Sequence, residues 1–343
     1  MTASLKLAPH DGLQSGPVID GLNCASVTRQ QMLNTLAGDV SAMNLTAISP
    51  FAELSDALLQ LDQCRRSIEA MADVAFVVET AADIGRAHQS GRVGIILGAQ
   101  NSLMVEGDVG LLSSFRKLGL RILQPTYNER NAFGSGASFV GDEDEGITEK
   151  GRAWLAAMHE LRLLVDLSHC GHRTSRGFID AAQQPVVFSH ANASALWASP
   201  RNKSDELIRA VAQTGGLTGA VMWSPAVSQV NRPRLDDYLD HLEHIVRVAG
   251  VEHAAFASDV SEGYEEEESE WDASYGPNGF YPNITGVLGE WYRYSTRHNV
   301  DYDSLRHTPR IWDGLKKRGW GSSDIEKVTS GNWLRVLKDV WGE

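Results

Sequence analysis

Eight short apolar runs, most followed by a longer stretch with apolar residues at helical spacing, constrain this chain more than any other feature. The runs are Pro17–Asp20, Ala42–Ile48, Val93–Gly98, Leu120–Gln124, Leu163–Leu167, Pro185–Ser189, Leu217–Met222 and Ala254–Ser258. Several are apolar at consecutive positions, as parallel strands buried on both faces read. The helix-like stretches are 28–38, 55–73, 108–118, 149–161, 175–182, 203–214 and 235–248. Gly119, Gly215 and Gly250 stand where three of them stop, and glycine accepts the left-handed turn that ends a helix. Strand-then-helix order repeated eight times predicts an α/β fold, a (β/α)8 barrel of TIM type. No Gly-x-Gly-x-x-Gly follows the first run, which counts against a dinucleotide-binding sheet.

A chain of 343 residues suffices for one large barrel, and no low-complexity linker divides it, so 1–343 is expected to be a single domain. The segment 262–285, after the eighth strand, breaks the rhythm. It is acidic at Glu265–Glu268 and Glu270 and aromatic at Tyr264, Trp271, Tyr275, Phe280 and Tyr281. A barrel places it as the last loop on the catalytic face, either a solvated lid or an attractor of cations. Residues 284–343 read as helices that close the barrel. The net charge of −13 excludes the basic footprint that binding nucleic acid or anionic lipid requires. No apolar run approaches the roughly 18 residues of a membrane span, and Met1–Pro17 does not read as a secretory signal. Three cysteines make no disulfide framework, which points to a reducing cytoplasm.

Side chains at the C-terminal strand ends of such barrels converge on one site. Here those ends carry Cys24, Gln100, Tyr127 with Asn128, His169, His190 and Asp259. Neutral imidazoles and a carboxylate are ordinary zinc ligands, and three protein ligands plus water make a hydrolytic centre. The plainer alternative is that each is a hydrogen-bonded pocket residue. His241 and His244 share one helix face but sit in the outer layer, where packing is expected. Ser189-His190 lacks a nucleophile-elbow pattern, so no Ser-His-Asp triad is read. Arg201, in the loop after the sixth strand, can hold a substrate carboxylate through its two-pronged guanidinium.

Taken together these residues resemble the membrane (renal) dipeptidase family of zinc peptidases along nearly the whole chain. Val165-Asp166-Leu167-Ser168-His169 and Pro185-Val186-Val187-Phe188-Ser189-His190 are similar to the segments that hold the two histidine ligands of that family's second zinc. Pro200-Arg201-Asn202 matches the region whose arginine binds the substrate carboxylate, and Ala255-Phe256-Ala257-Ser258-Asp259 the stretch ending in the aspartate of the metal centre. The resemblance implies a metallo-dependent hydrolase barrel, zinc, a small-molecule substrate and a homodimer.

The departures fall at the first zinc. The family's Asp-Gly-His-Asn-Asp is Asp20-Gly21-Leu22-Asn23-Cys24, its metal-bridging glutamate is Gln100, and its oxyanion-stabilising histidine is Tyr127. Leu22 cannot ligate, and an amide bridges two dications poorly. The expectation is therefore one metal ion, with His169, His190, Gln100, Asp259 and Cys24 as candidate ligands. Asp259 shuttles the proton, Tyr127 steadies the oxyanion, and Arg201 with Asn128 binds substrate. The expected reaction is hydrolysis of an amide or peptide bond in a small carboxylate-bearing molecule. The alternatives are a barrel that binds a ligand without turnover and a metal-dependent lyase or isomerase.

Overall fold

The computed structural model describes residues 16–264, 267–275 and 291–342. Its strands among these residues are β1 (Ile19–Asn23), β2 (Ala42–Ile48), β3 (Ala75–Val77), β4 (Val93–Ala99), β5 (Leu120–Leu123), β6 (Leu164–Asp166), β7 (Val186–Val187), β8 (Thr218–Val221) and β9 (Ala254–Ala257). All pairings between them are parallel. The order β1-β2-β4-β5-β6-β7 forms one sheet and β8-β9 a second. Phe188 joins them, accepting from Gly219 N at 2.7 Å and donating to Leu217 O at 3.0 Å. The ring closes where Asp259 N donates to Leu22 O at 2.9 Å, bringing the end of β9 onto β1. Eight strands therefore make a barrel.

β3 is the ninth, and the sequence pattern does not reveal it. It pairs only with the first half of β4, whose second half pairs β5. Three residues carry too little periodicity to mark a strand. The first strand also begins later than its apolar run, because Pro17 has no N–H to give a ladder. Predicted helices appear at Arg29–Ala37, Leu54–Glu69, Glu149–Glu160, His172–Ala181, Asp205–Gln213 and Leu235–Ala249, with a shorter one at Leu112–Lys117. A further helix, Ala81–Ser90, lies outside the helix-like stretches of the sequence.

The inward residues Ile19, Ala42, Ile96, Ile122, Leu164, Val187, Leu217 and Ala255 form one buried cluster, one from each of the eight barrel strands or its immediate flank. The helix Asn332–Trp341 adds Trp333, Val336, Leu337, Val340 and Trp341 to it. That helix plugs the mouth opposite the strand ends that carry the polar site. Among the described residues no helix is long and apolar enough to cross a membrane. The segment 262–285 and the closure 284–343 lie partly outside the described residues.

Candidate functional site

The site rests on two buried carboxylates. Asp166, at the end of β6, accepts from Ser168 N and Ser189 N, each at 3.0 Å, from both Ser168 Oγ and Ser189 Oγ at 2.5 Å, and from Gln124 Nε2 at 2.7 Å. Asp20, in β1, accepts from Ser258 N at 2.7 Å, Ser258 Oγ at 2.5 Å and Asn23 Nδ2 at 2.9 Å. Each carboxylate staples its strand end to a neighbour. Burial still raises both above the usual range, Asp20 to about 6. Asp166 and its serines stand in the motifs quoted above, but their role as a shared support shows only once the two strands lie side by side.

That support fixes the histidines. Ser189 Oγ gives its proton to Asp166, so at 2.7 Å from His190 Nδ1 it accepts. Asn128 Oδ1, an acceptor, lies 2.8 Å from His169 Nδ1. Both rings thus carry their proton on Nδ1 and present a bare Nε2. The two Nε2 atoms face each other at 3.0 Å. Burial and the nearby Arg201 and Lys203 charges hold both imidazoles far below their ordinary pKa, so they are neutral. Facing lone pairs with no proton between them suit a cation. Arg201 partly fills that need: its Nη2 donates to His169 Nε2 at 3.0 Å, while Nη1 donates to Ser168 O. Tyr127 stacks on the His169 ring, centroids 4.1 Å apart. The donor set therefore fits a metal ion at His169 and His190, once Arg201 yields the lone pair.

Cys24, Gln100 and Asp259 form a separate group. Gln100 Nε2 donates to Thr46 Oγ1 at 2.8 Å and approaches Cys24 Sγ at 3.4 Å. Cys24 Sγ in turn points to Asp259 Oδ1 at 3.5 Å. Burial and the Asp259 charge push the Cys24 thiol well above its ordinary pKa. Gln100 directs its amide N–H groups into this cluster. Among the described residues no group of three or more His, Cys, Asp or Glu side chains is placed to hold a metal. Asn128 lies behind His169 and does not line the cavity, so it orients the ring. Burial raises the Asp259 carboxyl to about 7, against the pull of Arg201.

Above these groups lies a cavity of about 830 Å³ lined by Cys24, Gln100, Tyr127, His169, Arg201 and Asp259, with aromatic walls. His190 sits beneath His169, fully buried. Of the acidic segment after β9, Glu267, Glu268 and Glu270 are exposed and outside the cavity, while Trp271 and Tyr264 line it. His241 and His244 are outer-layer packing residues: His241 Nδ1 accepts from Ala193 N at 3.2 Å and His244 Nε2 meets Asp205 at 2.8 Å.

A family model described as membrane dipeptidase, peptidase family M19, matches residues 18–277. An uncharacterised dipeptidase of Schizosaccharomyces pombe is 31% identical over 62% of this chain and 52% of its own length. A dipeptidase of Aspergillus oryzae is 25% identical over 83% of this chain and 61% of its own. The chain thus spans about half to three fifths of the length of these curated relatives. The crystal structure of an amidohydrolase from Pseudomonas aeruginosa superposes with a TM-score of 0.85 at 29% identity, covering 96% of this chain and 97% of its own.

Proposed function

The chain belongs to the membrane dipeptidase family, peptidase family M19, and on that premise we propose that it is a metal-dependent hydrolase. It cleaves an amide or peptide bond in a small molecule that carries a carboxylate. The observation that carries this reading is the pair of neutral imidazoles with bare Nε2 atoms 3.0 Å apart. Family membership implies a metal; the donor set supports one ion, taken as zinc, on His169 and His190. The group of Cys24, Gln100 and Asp259 replaces the first position with a thiol, an amide and a carboxylate bonded to one another.

His169 and His190 would hold a divalent ion, which would supply polarisation of the scissile carbonyl and a lowered pKa of water, to about 7. Every other step falls to side chains. Arg201, freed from the His169 lone pair, turns its fork to the substrate carboxylate. Tyr127, flat against His169, offers its hydroxyl to the carbonyl oxygen as it gains charge. Asp259 takes a proton from the attacking water and passes it to the leaving nitrogen. A carboxyl held near 7 has the balance of acid and base that such a shuttle needs. The three free cysteines favour a reducing cytoplasm.

The second reading is a ligand-binding barrel without turnover, favoured by the Arg201 Nη2 contact that already occupies His169 Nε2. Metal analysis and turnover of a panel of dipeptides and N-acyl amino acids separate the two. Hydrolysis by the wild-type chain, lost in a folded His190→Ala variant, is expected. Turnover unchanged in that variant removes the mechanism.

A further inference from the structure

The cavity has a lining that is uneven in charge. Two guanidinium groups border it, Arg201 on the floor and Arg297 on the wall. Arg297 is pinned there, its guanidinium 4.0 Å from the centroid of the Tyr294 ring and bonded to Tyr294 O. Among the described lining residues the one carboxylate is Asp259, already bonded to Cys24 and assigned to proton transfer. Glu262, the nearest acidic residue along the chain, is turned away onto Gln31, Ser304 and Leu305 N. The rest of the lining mixes polar side chains, Gln60, Gln63, Ser224 and Asn299 among them, with the rings of Trp223, Tyr264, Trp271, Tyr275 and Tyr292. Trp271 is held by ring contacts to Tyr275 and Tyr292 at 5.4 and 5.3 Å.

An N-terminal ammonium entering this space gives up water without gaining, among the described lining residues, a carboxylate partner other than Asp259, and it meets the Arg297 guanidinium while Arg201 is engaged by the substrate carboxylate. Burying a cation on those terms is unfavourable. An uncharged acyl group loses nothing comparable, and a ring on it gains contact with the aromatic rings of the lining. The volume, about 830 Å³, leaves room beyond a small dipeptide for such a ring.

Resting on the hydrolase reading above, we infer that the substrate is an N-acylated amino acid with a bulky aromatic acyl group, in preference to a free dipeptide. The reaction balances as ordinary hydrolysis. The amide C–N bond breaks, the carbonyl carbon takes the oxygen of water, and the nitrogen takes a proton. The products are an arylalkanoate and a free amino acid.

Three glycine conjugates test this. N-(3-phenylpropanoyl)glycine is Phe-Gly without its ammonium, and N-acetylglycine lacks the ring. With the zinc-loaded full chain, kcat/KM for the phenylpropanoyl compound is expected to exceed that for each of the others about tenfold or more. Trp271→Ala and, as a second variant at an exposed position, Tyr264→Ala should raise KM for the phenylpropanoyl compound and leave N-acetylglycine nearly unaffected. Phe-Gly cleaved as well as or better than the phenylpropanoyl compound overturns this inference while leaving the hydrolase reading in place. Cleavage of none of the three, nor of any dipeptide, removes the hydrolase reading. Calorimetric binding then decides the inference: about tenfold tighter binding of N-(3-phenylpropanoyl)glycine than of Phe-Gly upholds it, and equal binding overturns it.

Discussion

Asp259 combines the two roles that single residues in this site are asked to fill. Its backbone has φ of 49°, in the left-handed region that side chains other than glycine seldom enter, and its N–H closes the barrel on Leu22 O. Asparagine tolerates that conformation nearly as well as aspartate. Asp259→Asn is therefore expected to keep the thermal midpoint close to wild type while turnover falls by about 10²-fold or more, the usual loss of a positioned acid–base group. A large fall in midpoint would mean that the carboxylate serves the fold instead. Asp20 makes a second residue-scale prediction. Its carboxyl sits at about 6 in the folded chain against an ordinary 3.8, so the folded state binds the proton more tightly. The stability this contributes is fully present below about 3.8 and is lost as pH rises through 6, on the order of 3 kcal/mol for two units. Urea unfolding of the wild-type and Asp20→Asn chains at pH 4 and pH 7.5 reads it. The advantage of wild type over the variant should shrink at the higher pH, and a constant difference would contradict it.

The strands owe their site to close approach at their ends. Gly21 lies in β1 where a Cβ would stand 2.8 Å from Ser189 O and from Trp333 Cζ2, and 2.9 Å from Phe256 O. Two of those neighbours are backbone carbonyls that cannot swing aside. Gly21→Ala should cost about 1–3 kcal/mol by overpacking the barrel interior, read as a lower urea midpoint; an unchanged midpoint would mean the barrel breathes there. The Asp166 staple acts at the same scale, tying β6 to β7 through Ser189. Ser189→Ala removes the acceptor that keeps the proton on His190 Nδ1. Zinc affinity is expected to fall about 10- to 100-fold, as for other supporting partners of metal-binding histidines, with the fold intact by circular dichroism. Affinity equal to wild type would show that the tautomer is set elsewhere. At this scale much was legible. Consecutive apolar positions gave away the strands, because a strand covered on both faces has no polar side. β3 was not legible, because its three residues match any short apolar run.

For the molecule as a whole, the proposal implies one zinc per chain by elemental analysis, lost in His169→Ala. Two per chain would mean that Cys24 or a neighbour rebuilds the first position. None after incubation with excess zinc would favour the ligand-binding barrel. The resemblance of the Ser168-His169, Ser189-His190 and Ser258-Asp259 segments was readable because strand ends in a barrel face one mouth whatever lies between them. Alternation of strands and helices likewise dictated the architecture, since buried parallel strands need helices on their outer face. What the linear order could not supply was partnership. His169 and Arg201 stand 32 residues apart, and Cys24 and Asp259 stand 235 apart. Which ligand candidates share a metal position, and which merely bond to one another, depends on distances of a few ångströms between strand ends. Periodicity records only whether a side chain faces the core. The closing of the ring decides what it meets there.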